Sequence, residues 1–228
     1  MSEAAPRRAV PITPPDLGDE LERDDTAELA AHDRLEDREV HGLEVGEDEL
    51  EGVELRRCRL VRPAWIGAHL VRAALTDVVV EDGELAGLTL DECTLVRVAF
   101  VRCRLSGLVA PALRGTDLTF VDCRMDDAWL RAVTFERVAF EDCPLPRADL
   151  YAARLQHVRL VGCDLTEVEL SQADLDDVAF HRSTIDGLKG GASLRNAVIG
   201  SDQILGFAGP VLHAAGVVVD DDYLDPAD

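Results

Sequence analysis

Six cysteines are the side chains best suited to metal or redox chemistry, and their spacing supports neither. No CxxC occurs, and the closest pair, Cys93 and Cys103, is separated by two full repeats of five. The six histidines (His32, His41, His69, His157, His181 and His213) are scattered, with no HExxH and no GxSxG elbow. GLKGGAS at 187–193 departs from GxxxxGK[ST], so it reads as a turn that re-routes the chain rather than a phosphate cradle. The adjacent carboxylates Asp126–Asp127 and Asp176–Asp177 read as solvated charge. The chain is therefore expected to be no enzyme, with no catalytic, cofactor-binding or metal-binding residues and no cofactor.

What the cysteines do show is a period. Cys103, Cys123, Cys143 and Cys163 recur at a spacing of twenty, as do Phe100, Phe120, Phe140 and, after Leu160, Phe180. Inside that period lies a shorter one. Of the 28 positions taken at every fifth place from 50 to 185, 26 are Leu, Phe, Met, Ile, Val or Trp; the exceptions are Ala110 and Gly115. Two places before each centre the side chain is small or slender in 22 of 28 cases. Five residues advance an α-helix by about 500°, and an odd step flips the face of a strand. A buried position at every fifth place thus requires a chain that turns a corner once per repeat. A spacing of twenty makes four corners, so each coil has four sides.

The expected fold is an all-β solenoid of square section, about seven coils long, its axis filled by the centres and their i−2 partners. Leu108, Leu113 and Leu118 are large at i−2 where the centres shrink to Ala110 and Gly115. Either volume is exchanged there, or the frame slips. The segments ADLYAARL (148–155) and QADLDDVAF (172–180) resemble the pentapeptide-repeat family, whose pattern is A(D/N)Lxx. That resemblance covers roughly residues 40 to 199 and implies a right-handed quadrilateral β-helix. The best-understood branch of the family, the fluoroquinolone-resistance proteins, binds DNA gyrase by imitating the shape and charge of duplex DNA.

Three segments are expected: an acidic N-terminal segment and cap (1–39), the β-helix (40–200), and a C-terminal helix, short strand and acidic tail (201–228). Residues 1–15 read as disordered, residues 25–35 as a short acidic helix, and Val217–Val219 as the strand. Ser201 reads as a helix N-cap, and Pro210 as a kink or a break between two helices. Ile204, Leu205, Phe207, Ala208, Val211 and Leu212 form one apolar helical stripe. The stripe reads as a cap on the last coil or as a dimer contact; the resemblance implies the latter, because the gyrase-binding branch pairs two rods through such a helix.

The 228 residues carry a formal charge of −22. Acids outnumber bases by 17 to 5 in residues 1–52, by 22 to 18 in 53–200 and by 6 to none in 201–228. Direct binding to nucleic acid or to an anionic membrane is disfavoured, and a cytoplasmic location is expected. Sorted by side of the square, no side is acidic throughout. One side gathers Pro111, Trp129, Arg131 and Tyr151 facing outward, with Asp91, Glu92, Asp149 and Glu169 nearby. Trp, Tyr and Arg dominate protein-binding hot spots, so these residues form the candidate partner site. Two readings stand: a DNA mimic directed at a type II topoisomerase such as DNA gyrase, and a rigid scaffold for an unrelated protein.

Overall fold

The computed structural model describes residues 9–47 and 49–218. Its strands are Glu22–Arg23 (β1), Arg34–His41 (β2), Glu49–Glu51 (β3), Glu54–Val61 (β4), His69–Val71 (β5), Ala74–Glu81 (β6) and Thr89–Asp91 (β7). They continue with Thr94–Val101 (β8), Arg114–Val121 (β9), Thr134–Glu141 (β10), Arg154–Val161 (β11), Asp174–Asp176 (β12), Ala179–His181 (β13) and Val198–Ile199 (β14). One α-helix, Ile204–Ala214 (α1), closes the described chain.

Every ladder is parallel, and from β2 to β13 the register advances by twenty per coil, as in Leu35 with Leu55 and Phe120 with Phe140. The longer strands bend around a corner and so cover two sides of the square; the pairing between β2 and β4 accordingly skips residues 37 and 57. The other two sides are held by β3, β5 and β7 and by single parallel bridges such as Ala64 to Glu84 and Trp129 to Asp149. Inside lie the centres and their i−2 partners from Val40 to Leu188, a continuous core with Phe100, Phe120 and Phe140 stacked at 5.1 and 4.8 Å.

The corner is made by one position. Every fifth position from 52 to 187 has φ between 48° and 70°, yet only Gly52, Gly67, Gly87, Gly107, Gly162 and Gly187 among them are glycine. The left-handed region disfavours a side-chain-bearing residue by about 1 kcal/mol or more. Stacking compensates: a corner amide donates to a carbonyl of the next coil, as in Arg62 to Glu81 (2.8 Å) and Asp142 to Val161 (2.9 Å).

The solenoid has about nine turns, not seven. The hydrophobic count from 50 to 185 misses both ends. Pairing continues through β2, ahead of residue 40, to β1, which pairs with it at Glu22–Arg38. At the far end β14 pairs with β13 at an offset of 19 (Val198 with Ala179) after the break at GLKGG. Around Leu118 volume is exchanged without a slip, since Gly115 stays in register between Leu95 and Phe135. A Cβ on Gly115 would collide with Leu118 and come within 2.9 Å of Phe135.

Three local expectations are corrected. Residues 25–35 form no helix, because Arg34 already pairs with Glu54 in a coil. Residues 9–15 are not loose but lie extended against the rod, where the Thr13 amide donates to Asp117. Val217 and Val218 are in no strand; Val219, the acidic tail and residues 1–8 fall outside the described residues.

At the C-terminus α1 runs continuously through Pro210, and a 3-10 turn, Ser201–Gln203, precedes it. Ser201 is the first residue of that turn and not its cap. The cap is Gly200, whose amide donates to Gln203 Oε1, while Gln203 Nε2 donates to the carbonyl of Ser183 at 2.9 Å. Gln203 thus satisfies one carbonyl at the open end of the last coil. GLKGG re-routes the chain by close backbone approach: side chains at Gly190 and Gly191 would strike Ser171 and the carbonyl of Pro210.

Two substitutions test this packing by urea unfolding. Phe140→Ala opens a cavity in the ring stack and is expected to cost about 3–5 kcal/mol. Gly115→Ala overpacks the same layer and is expected to cost about 1–3 kcal/mol, with partial recovery when Leu118→Val is added.

Candidate functional site

Position i−1 of each repeat points out of the square, and stacking aligns these positions. Val109, Trp129, Asp149 and Glu169 follow one another through successive parallel bridges, with Pro111, Arg131 and Tyr151 two places after the first three. Trp129 is 43% exposed. The Arg131 guanidinium lies 5.8 Å from the Trp129 ring and 5.4 Å from the Tyr151 ring, and its Nε donates to Asp149 Oδ2 at 2.6 Å. Asp149 Oδ1 in turn accepts the Tyr151 amide at 3.0 Å, and Glu169 accepts the Ser171 amide at 2.6 Å.

The structure therefore gathers Trp129, Arg131, Asp149 and Tyr151 into one cluster. Pro111 and Glu169 sit one coil to either side. Asp91 and Glu92 lie two coils from the cluster, Asp91 paired with Val71 and Glu92 at a left-handed corner. Arg131 is fixed by one carboxylate and two rings, so the cluster presents a rigid aromatic surface with acid beside it.

The C-terminal candidates separate. Phe207 alone enters the core, its ring 5.7 Å from Phe180 at 59°. Ala208 is half-buried, whereas Ile204, Leu205, Val211 and Leu212 are exposed, Leu205 at 89%. The stripe does not pack as a unit on the last coil. Gln203 and Phe207 reach the coil end, which Leu194, Ala197 and Ile199 also cover.

The cysteines are free and buried. Each thiol in the column from Cys103 to Cys163 lies 3.3–3.6 Å from two carbonyl oxygens, and the amides of Cys103 and Cys123 donate to the sulfur one coil ahead. Ser183 continues the column, accepting the Cys163 amide at 3.0 Å. Burial pushes the thiol of Cys93 up to about 11 and that of Cys163 up to about 12. Among the described residues no three His, Cys, Asp or Glu side chains are grouped to hold a metal, and no helix is long and apolar enough to cross a membrane.

Summing charge by side hides a feature that the structure displays. One corner column reads Asp37, Arg57, Asp77, Arg97, Asp117, Arg137, His157, Asp177, alternating in sign through its first six members. Arginine forks grip the carboxylates of the coil before: Arg57 Nε to Asp37 at 2.5 Å, Arg97 to Asp77 at 2.6 Å, Arg137 to Asp117 at 2.8 Å. His157 Nδ1 lies 3.0 Å from Asp177. Similar pairs join Asp82 to Arg102 and Asp127 to Arg147. A spacing of twenty between opposite charges was the available signal.

The guanidiniums beside Asp37, Asp77, Asp82 and Asp127 hold these carboxyls below the usual carboxylate range. At Asp117 burial pushes upward, but Arg137 and the Thr13 amide outweigh it and the net shift is downward.

A β-solenoid that rounds one corner in every five residues and closes a coil in every twenty defines the class of protein. Residues 113–189 match the family model of the pentapeptide repeat region. No curated protein matches the chain. Similar solved structures include a trypsin-treated variant of QnrB1, a plasmid-mediated fluoroquinolone resistance protein. It is 15% identical over 87% of this chain and 95% of that one, with a TM-score of 0.46. Another is HetL, a pentapeptide repeat protein involved in heterocyst differentiation regulation from the cyanobacterium Nostoc sp. strain PCC 7120. It is 16% identical over 75% of this chain and 91% of that one, with a TM-score of 0.40.

The depressed carboxyls set an acid limit on stability. Their contribution is complete above the unfolded value near 4 and drains away as pH falls through the lower folded values. Unfolding free energy is expected to hold from about pH 6 to 5 and to decline below about pH 4. Asp77→Asn should be less stable at pH 6 and show a shallower acid slope, as read by urea unfolding at each pH.

Proposed function

We propose that this protein is a non-catalytic rod that binds another protein through the side carrying Trp129, Arg131 and Tyr151. The carrying observation is an exposed indole beside an arginine already immobilised between two rings. Such a group loses little conformational freedom on binding, and preorganised aromatic and arginine anchors supply most of the energy at protein interfaces. Asp149 and Glu169, with Pro111 below them and Asp91 and Glu92 beyond, suit a partner with a basic, partly apolar groove. Trp129→Ala is expected to leave stability within about 0.5 kcal/mol of wild type. It should weaken capture of the native partner by about 2 kcal/mol. A large loss of stability instead would show that the indole is a packing residue.

The narrower reading names the partner as a type II topoisomerase, DNA gyrase, bound by imitation of duplex DNA. The net charge of −22 and the resemblance to the gyrase-binding branch support it. The alternating columns oppose it, since arginines neutralise many of the acids that a mimic would display. Gyrase supercoiling in the presence of the purified protein separates the two readings. Inhibition supports the mimic, and its absence at tens of micromolar leaves the scaffold.

Self-association belongs to the same proposal. Ile204, Leu205, Val211 and Leu212 project from the rod's end, and a second copy would cover them. Leu205→Asp should convert a dimer to a monomer in light scattering while leaving the cap intact; Phe207 is unsuited to this test because it plugs the core. A reducing, cytoplasmic compartment suits six free thiols.

A further inference from the structure

The segment before the first coil runs back along the rod, over the column of alternating charge. The amide of Thr13 donates to Asp117 Oδ1 and the amide of Asp16 to Asp77 Oδ1, each at 3.0 Å. One such step upstream of Thr13, Val10 lies in a small cavity with His157, Arg159, Asp177 and His181. A step of three along the segment thus corresponds to a step of two coils along the rod.

The two lengths agree for a physical reason. Two coils rise by about 9.6 Å at the spacing of parallel strands. Three residues of polyproline II rise by about 9.3 Å. The segment AVPITPPDLG (9–18) is composed for that conformation, with prolines at 11, 14 and 15 and amide-bearing residues at 10, 13 and 16. The column is composed to match. Asp37, Asp77 and Asp117 recur every two coils, each is clamped by the arginine of the next coil, and Asp77 and Asp117 are only 7% and 6% exposed. Fixed acceptors at the repeat of an extended proline-containing chain form a recognition surface for such a chain.

We propose that this column is a docking groove for extended, proline-containing protein segments that offer a backbone amide at every third residue. Residues 9–18 occupy it in cis, and a partner bearing such a segment binds by displacing them. The groove is separate from the Trp129 side and does not rest on the reading given to that side.

The test uses the full chain carrying Thr13→Pro and Asp16→Pro, which removes both amide donors while keeping the backbone extended. The probe is a fluorescein-labelled peptide of residues 9–18. Fluorescence anisotropy should show binding to the variant at least about tenfold tighter than to wild type, whose own segment competes from within. N-methylation of the peptide at its Thr13 and Asp16 positions should abolish binding. A variant that folds and fails to bind the peptide, or binding indifferent to N-methylation, would overturn the proposal. Should the double variant not fold, amide exchange in the wild type decides: millimolar peptide should speed exchange at Thr13 and Asp16, and unchanged rates would overturn it.

Discussion

The left-handed corner governs this structure. A chain that turns once in every repeat needs a backbone conformation that L-amino acids disfavour, and here it needs it at every corner from Gly52 to Gly187. No isolated coil would hold such a path. Corner amides are satisfied by the carbonyls of the neighbouring coil, so the cost of turning is offset only when coils stack. The core repeats the same logic with side chains: each ring or branched centre lies on its counterpart one coil away, as Phe120 does between Phe100 and Phe140. Stability is cooperative along the axis, and the ends of the rod need separate provision.

That provision differs at the two ends. At the C-terminal end Gln203 bonds the carbonyl of Ser183 and Phe207 rests on Phe180, beside Leu194, Ala197 and Ile199 packed on the core. The helix that carries Phe207 leaves most of its apolar surface outside. At the front, β1 pairs with β2 through Glu22 and Arg23, and the Asp24 amide donates to the carbonyl of Glu39 at 2.9 Å. The segment before it turns back along the outside of the rod instead of covering the first coil. Order at that end combines polar contacts along the rod with Ala27, Leu29 and Leu35 packed on the core.

Much of this was legible in the residues. The period of five gave the corner, the period of twenty gave the square, and the inward positions followed without exception from Val53 to Leu188. The departures at Gly115 and Leu118 were visible, but a volume swap and a frame slip look alike in the residues, and the register of Gly115 between Leu95 and Phe135 separates them. The number of turns was not, because the terminal coils are held by backbone pairing at Glu22–Arg23 and Val198–Ile199, where no run of Leu marks the centre. The fate of the helical stripe was hidden for another reason: amphipathicity states that a face is apolar, not how wide a surface awaits it. The Trp129 cluster was legible as an outward-facing set, but the clamp on Arg131 depended on which atoms meet. The prolines at 11, 14 and 15 mark residues 9–18 as extended, but where Thr13 and Asp16 dock had no signature, since the donors are backbone amides common to nearly every residue type. The charge column lay in plain view at a spacing of twenty, and only adding its members together concealed it.

The course of residues 9–18 has a mechanical consequence. Because the segment doubles back, Ala9 and Val10 lie beside Val198, close to where α1 begins, so both ends of the described chain emerge from one end of the rod. A pull applied between Ala9 and α1 would not stretch the coils along their axis. It would peel the segment outward and meet the bond at Asp117 before the bond at Asp77. The coils beneath would carry tension on that strand only after the segment had lifted.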